Sequence, residues 1–359
     1  MRIAGVASLL AALTLIGAAP ASAQPACGEV ITQDTTLTAD LDCQGSDGLV
    51  IGAPGITLDL GGHRISTYVV AVRNPGYADV TIRNGSITFD TAGVVLIGAT
   101  RNTIRDLAID GLITGIELRG SDGNRIVSNN LASALISVDE NSDGNVLRDN
   151  VTRGHEGVIS VGGSRNRVVH NVVWTGFDTA FSLYSGHHNE VLHNTLVESS
   201  TVLIRLTNTD DNLIADNRLV QYDPNYGGPG VLITGSSRNR FRDNHLSDAP
   251  LGIQIESGAN NVFTRNAVEG QVLTTFTYGE PDGFRVEAAA TATLLQSNQV
   301  QGFADDGIDV AAPGTTLRGN TATDNGDLGI EADPGVIDAG GNTASGNGNP
   351  LQCTNVVCG

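Results

Sequence analysis

The sequence predicts an all-β right-handed parallel β-helix, a solenoid of about thirteen coils with three short strands per coil and capped ends. Three observations carry that reading. A unit of Asn, one residue, an apolar residue, two more and Asn again recurs at Asn124/Asn129, Asn145/Asn150, Asn166/Asn171, Asn189/Asn194, Asn212/Asn217, Asn239/Asn244 and Asn261/Asn266. Its second Asn persists at Asn298, Asn320 and Asn342. A Gly-apolar-x-apolar segment, of strand periodicity, precedes the pairs, as in Gly115-Ile116-Glu117-Leu118, Gly252-Ile253-Gln254-Ile255, Gly307-Ile308-Asp309-Val310 and Gly329-Ile330-Glu331. Finally, no stretch keeps the three-and-four spacing of a helix.

Successive first asparagines lie 21, 21, 23, 23, 27 and 22 residues apart, room for three strands of about five residues with their bends. A leucine-rich repeat has a similar period, but its leucine consensus and convex helical segment are missing. Coils stacked at one strand spacing, about 4.8 Å, make a rod of about 60 Å. Asparagines at the same place in each coil stack as a ladder, and Asn suits a tight left-handed bend.

Met1-Arg2, the apolar run Ile3 to Ala19, and Ala21-Ser22-Ala23 have the form of a signal peptide over 1–23, with Gln24 as the mature start. Residues 24–47 read as an N-terminal cap, 48–345 as the β-helix and 346–359 as a C-terminal tail, because open solenoid ends need covers. The four cysteines admit three pairings and read as two local disulfides, one from Cys27 and Cys43 and one from Cys353 and Cys358. These features place the chain outside the cell or in a periplasm.

The 359 residues include 20 basic side chains, every one an arginine, and 39 acidic ones, for a net charge of −19. With no lysine, Schiff-base chemistry and a Walker-type phosphate loop are excluded. The acidity argues against nucleic acid and anionic membranes as partners, and a solenoid with both ends capped is expected to be a monomer.

The segments Thr35-Thr36-Leu37-Thr38-Ala39-Asp40-Leu41, Gly48-Leu49-Val50-Ile51-Gly52 and Ile56-Thr57-Leu58-Asp59-Leu60-Gly61-Gly62-His63 resemble the first coils of secreted bacterial right-handed β-helix repeat proteins. Asp327-Leu328-Gly329-Ile330-Glu331 through Gly346-Asn347-Gly348-Asn349 resembles their last coils. The resemblance spans nearly the whole mature chain. It implies kinship with the pectate-lyase-like superfamily, which includes lyases, uronan C5-epimerases, glycosidases and copper-associated NosD proteins. It is specific for fold and weak for activity.

Two coils are overlong, with Tyr222, Asp223 and Tyr226 in one insertion and Tyr278 in the other. Extra residues in a solenoid become loops over one face, here walling the Gly-apolar-x-apolar strand, where tyrosines stack on sugars. Aligning the coils puts Ser182, Arg205, Leu232 and Gln254 in one outward column and Tyr184, Thr207, Thr234 and Glu256 in a second; Arg285 and Glu287 rejoin them after the insertion. On an acidic polysaccharide, Arg205 would neutralise a uronate while Tyr184, His187 or His188 takes the proton alpha to it. Glu256 and Glu287 would stack near the separation retaining glycosidases use, about 5 Å.

The leading expectation is a polysaccharide lyase or C5-epimerase with catalytic Arg205, Tyr184, His187 and His188. Tyr222, Asp223, Tyr226, Gln254, Glu256, Tyr278, Arg285 and Glu287 would bind substrate. The alternatives are a glycosidase, a non-catalytic glycan-binding or surface-structural protein, and a NosD-like metal-associated periplasmic protein. No cofactor is called for. The weak metal candidate is a divalent ion at His170 and His193, which stand at the same place in consecutive coils between Asp149 and Asp216. Met1 is the only methionine, so the mature chain has no thioether ligand. Asp305-Asp306 reads as surface, and Arg165, Arg167, Arg238, Arg240 and Arg242 as a bend cluster paired with acids such as Asp149 and Asp243.

Overall fold

A computed structural model describes residues 24–154, 158–176, 179–197, 201–221, 228–271 and 281–359. Every regular element among them is a strand, and every pairing between strands is parallel. The chain is a right-handed parallel β-helix. Its front sheet stacks 15 strands, from Glu29–Ile31 to Cys353–Thr354. That makes about fourteen turns, close to the thirteen expected. The other two strands of each coil complete the cross-section, as Glu190–Leu192 and Thr195–Val197 do for the coil opened by Phe181–Tyr184.

The expected caps take part in the stack. Glu29–Ile31 pairs in register with Leu49–Ile51, so residues 24–47 form a first coil. In the tail, Cys353 and Thr354 pair with Ile330 and Glu331 as the last rung of the front sheet. Cys27–Cys43 and Cys353–Cys358 are both disulfide-bonded.

Alternation puts one apolar column from each face inside. Phe181, Ile204, Val231, Ile253, Phe284, Ile308 and Ile330 are buried in successive front rungs. Behind them Phe241 stacks on Phe263 with centroids 4.8 Å apart, and Phe263 meets Phe284 edge to face at 5.6 Å.

The asparagines form two continuous ladders. The Asn145 backbone N–H and its side-chain amide both donate to Asn166 Oδ1, at 2.8 and 3.1 Å, and Asn166 N–H donates in turn to Asn189. One ladder runs from Asn102 to Asn261 and the other from Asn129 to Asn342. These side chains are nearly all buried, so each rung satisfies polar groups that would otherwise be stranded. The left-handed backbone falls elsewhere than expected: it belongs to the residue before each Asn, including Asp149, His170, His193, Asp216 and Asp243, with φ between 54° and 57°. The Asn is free to turn inward because its neighbour takes the bend.

The front strands' glycines have a steric cause. A Cβ on Gly252 would lie 1.9 Å from the Gly283 carbonyl oxygen, and one on Gly283 would lie 2.5 Å from that of Gly307. Only glycine lets these rungs close to parallel spacing.

Candidate functional site

Front-strand register fixes the outward column as Ser160, Ser182, Arg205, Leu232, Gln254, Arg285, Asp309 and Glu331, one per coil. Register survives the second insertion, so Gln254 pairs with Arg285 as the spacing implied. Tyr222, Asp223, Tyr226 and Tyr278 lie outside the described residues.

Along this column the first cluster surrounds Arg205. The guanidinium is half-buried, with Ser182 before it and Leu232 after it. The other front-strand arginines are paired: Arg73 with Asp47, Arg119 with Glu117, and Arg285 with Asp282 and Glu287. Arg205 has no carboxylate partner among the described residues. Tyr184 is diagonal to it, in register with Thr207, but its hydroxyl donates to the Val138 carbonyl at 3.3 Å, two coils toward the N-terminus. Burial, then the charges of Asp139 and Glu140, raises its pKa. Its tip therefore points away from Arg205, and its hydroxyl gives up its proton less readily than a free phenol, so the phenolate a base would need is scarcer. His187 and His188 occupy the bend after this strand, exposed, with their Nδ1 atoms 2.9 Å apart. They face Asp210 and Asp211 across the bend more than the front sheet.

The second cluster is denser. Arg285 Nε donates to Glu287 Oε1 at 2.7 Å, and Gln254 Nε2 reaches the same oxygen at 3.4 Å. Thr234 Oγ1 donates to Glu256 Oε2 at 2.8 Å. Thus Gln254, Arg285 and Glu287 meet, with Glu256 beside them. Beyond them, Asp309 and Glu331 occupy consecutive rungs of the column, about 4.8 Å apart at the backbone. Burial, with Glu331 and Glu287 adding and Arg285 opposing, pushes the Asp309 carboxyl up to about 6.

Behind this pair sit Asp282 and the Asp305-Asp306 pair, the latter expected at the surface. Asp306 is 4% exposed and Asp282 3%; only Asp305 is half-exposed. The Asp306 N–H donates to Asp282 Oδ1 at 3.0 Å, and Leu328 N–H donates to Asp306 Oδ1 at 2.7 Å. This is a short carboxyl ladder at the corner leading into the front sheet. Burial above all raises Asp282 to about 7 and Asp306 to about 8, with Glu331 hydrogen-bonded to Asp306 as a further cause. Asp309 and Glu331 stand openly at the x of two consecutive Gly-apolar-x-apolar segments, a legible signal, whereas the inward turn of Asp306 has no mark in the sequence.

Asp282, Asp305 and Asp306 are the one described group of three carboxylate or imidazole residues whose donor atoms gather within 4.8 Å. Asp282 Oδ1 accepts the Asp306 N–H, its Oδ2 faces Arg285, and Asp306 Oδ1 accepts the Leu328 N–H. His170 and His193 stack with centroids 5.2 Å apart and planes at 28°, and His170 Nδ1 is 3.8 Å from Asp149 Oδ1. Those two rings lie face to face, exposed at bend positions, so their nitrogens project side by side into solvent. Asp216 holds the same place one coil on. The arginines of the bend are mostly neutralised: Arg165 by Asp143, Arg167 by Glu190, Arg238 by Asp210 and Asp211, and Arg242 by Asp243. Asp149 is met by Arg148.

Residues 62–227 match the family described as periplasmic copper-binding protein (NosD), and residues 222–355 match the right handed beta helix region. Both thiol pairs are disulfides, the sole methionine is Met1, and among the described residues no histidine belongs to a gathered group of three donors. A soft-donor copper centre does not fit these residues. No curated protein matches the chain in sequence. Among solved structures, DFA-IIIase from Arthrobacter chlorophenolicus A6, in complex with GF2, superposes with a TM-score of 0.54 at 13% identity, covering 80% of this chain and 85% of that one. The A-module of mannuronan C-5 epimerase AlgE6 from Azotobacter vinelandii gives 0.53 at 12%, covering 90% and 91%. The Dettilon tailspike protein gives 0.50 at 16%, covering 88% and 61%. At these identities the likeness is one of fold.

Proposed function

Since the chain is a right-handed parallel β-helix protein, we propose that it binds an acidic polysaccharide along its front sheet and cleaves or transfers a glycosidic bond at Asp309 and Glu331. The observation that carries this reading is the in-register pair of outward carboxylates, with the Asp309 carboxyl held up to about 6. Two acids at that spacing, one retaining its proton near neutrality, are what a retaining glycosidase needs. Asp309 protonates the glycosidic oxygen as its bond to the anomeric carbon breaks. Glu331 attacks that carbon, and water returned through Asp309 completes hydrolysis. Arg285, held by Glu287 and Asp282, lines the next rung, and Gln254 supplies an amide. The two disulfides suit an exported protein, in a periplasm or outside the cell.

A lyase or C5-epimerase centred on Arg205 is the second reading. Its support is that Arg205 has no carboxylate partner among the described residues, in a chain where acids outnumber bases 39 to 20. In the first reading the same arginine is a subsite four rungs from Asp309, about 19 Å along the sheet.

The test is a panel of acidic and neutral polysaccharides, following reducing ends and ultraviolet absorbance of unsaturated product in parallel. Wild type is compared with Asp309→Asn, Glu331→Gln and Arg205→Ala. Reducing ends lost in the two carboxylate variants support the glycosidase. Unsaturated product lost in Arg205→Ala moves the chemistry to the lyase reading. Binding without turnover of any polymer replaces both with a glycan-binding protein.

A further inference from the structure

We propose that a recess around the bend from the front sheet is a second carbohydrate site, which takes a uronate unit of an acidic polysaccharide on Arg240. The inference rests on the acidic-polysaccharide reading for its polymer, and on none of the residues to which that reading gives chemistry.

The recess has a volume of about 410 Å³ and is lined by residues of four successive coils, a size usual for small-ligand sites, about 300–1,000 Å³. Two adjacent columns build it. His188, Asp211, Arg238 and Asn260 hold the same bend place in turn, each just before a ladder asparagine and each with φ between 56° and 59°. Leu213, Arg240 and Val262 pair in register on the strand after the bend, alternating with buried Ile214, Phe241 and Phe263, so they face outward. The ladder fixes the first column and strand pairing the second. The lining is therefore set by the backbone before a ligand arrives.

The charges of the recess do not cancel within it. Among the described residues one acid lines it, Asp211, and Arg238 takes both its oxygens, with Nε to Oδ1 at 2.8 Å and Nη2 to Oδ2 at 2.9 Å. Arg238 also meets Asp210 Oδ2 at 3.0 Å. Glu190, which precedes Leu213 in the outward column, accepts from Arg167 at 2.8 Å. Arg240 is exposed, and its guanidinium has neither a hydrogen bond nor a carboxylate partner among the described residues. The Asn260 side-chain amide is equally unengaged there. His188 spends its Nδ1 on His187 at 2.9 Å, which leaves Nε2 for a ligand.

An inorganic anion would use the guanidinium alone. Here Leu213 and Val262 flank Arg240 one rung away on either side, about 4.8 Å at the backbone. A cation between two apolar side chains suits a ligand with a carboxylate and a C–H face together, which is the chemistry of a sugar acid. The guanidinium takes the carboxylate in charge-assisted hydrogen bonds, and the amide and imidazole meet hydroxyls. His188, expected among the catalytic residues, is then a binding residue off the front sheet. The same four coils carry Ser182, Arg205, Leu232 and Gln254 on their front strands, so one polymer passing around the bend would meet both faces.

The test titrates wild type, Arg240→Gln, His188→Gln and Arg205→Ala with digalacturonate, dimannuronate, cellobiose and inorganic phosphate, following imidazole resonances by NMR. The chain has seven histidines, and the signal missing from His188→Gln identifies that of His188. Arg240 and His188 are exposed, so both variants should fold. At least one uronate dimer should shift the His188 resonance in wild type and in Arg205→Ala alike. Arg240→Gln should weaken that dimer roughly tenfold or more, and cellobiose should leave the resonance unmoved. No shift with either dimer overturns the proposal, as does undiminished affinity in Arg240→Gln. A phosphate titration matching the dimers also overturns it, marking a plain anion site. The reporter sits off the front sheet and needs no turnover, so the recess is decided whether or not any polymer is cleaved at Asp309 and Glu331.

Discussion

Asp309 and Glu331 pair in register across adjacent parallel strands of the front sheet, so two outward carboxyl groups stand one rung apart on a rigid backbone. Neither position can drift without breaking the strand ladder that holds it. Asp309→Asn and Glu331→Gln are nearly isosteric, and at about pH 5, below the Asp309 value of about 6, each should keep the wild-type thermal midpoint within a degree or two. If the pair performs acid–base glycoside chemistry, each should lower turnover by roughly 10²- to 10⁴-fold. Initial rates of reducing-end release check this, and a variant with full activity would remove its residue from the mechanism.

Arg205 offers a prediction in specificity. Removing the Arg205 guanidinium should weaken binding of a uronate polymer by roughly tenfold, about 1.4 kcal/mol, while a carboxyl-reduced form of the same polymer binds unchanged. Affinity electrophoresis on the two gels measures both. Equal loss on both would mean that Arg205 supports the sheet and does not read charge.

The buried acids make stability depend on pH. Asp282, Asp306 and Asp309 have folded-state values of about 7, 8 and 6, above the ordinary 3.8, so the folded state binds protons more tightly than the unfolded one. Their stabilising effect is complete below about pH 4 and is lost as pH rises through about 8. Asp282→Asn should remove up to roughly 4 kcal/mol of that dependence, an upper bound from about three units at 1.36 kcal/mol each. Urea midpoints at pH 5 and about 8.5 would reveal it; equal slopes in wild type and variant would count against the shift.

A fourth prediction contrasts neighbours in one bend. Asn171→Ala deprives the Asn150 N–H and side-chain amide of their shared acceptor in a buried ladder, costing about 2–3 kcal/mol. His170→Gly, one residue earlier at φ 55°, should be neutral or mildly stabilising, because glycine adopts that backbone freely. Equal losses would mean that the bend rather than the ladder carries the stability.

Opening Cys27–Cys43, which closes a loop of sequence separation 16, should cost about 3 kcal/mol. The first coils should lose protection from hydrogen exchange before the middle ones.

Periodic features were legible in the sequence because a solenoid repeats its physics. The Asn pairs announced the ladders, and the Gly-apolar-x-apolar segments announced the front sheet and its outward columns, down to Gln254 beside Arg285. Departures from the repeat were harder. Asp306 sits at a corner where one extra rotation of the chain decides between solvent and interior, and its neighbour Asp305 went the other way. Tyr184 illustrates a second limit: its column was predicted, but a hydroxyl can bond up or down the stack, and it bonds to Val138. The burial of Asp306 arises from packing among three coils, a tertiary effect with no local signature.

The asparagine ladders also bear on how such a chain is inherited and how it fails. Each rung bonds only within its own coil and to the coils before and after it, so removing or duplicating one whole coil leaves the same kind of junction behind. Length is then a quantity that recombination can adjust in steps of about 22 residues, without redesign of the cross-section. The Asp282–Asp306 corner is the exception, because it links particular coils through acids that do not recur. A duplication on the N-terminal side of it would lengthen the binding face, whereas one through it would part Asp306 from Asp282.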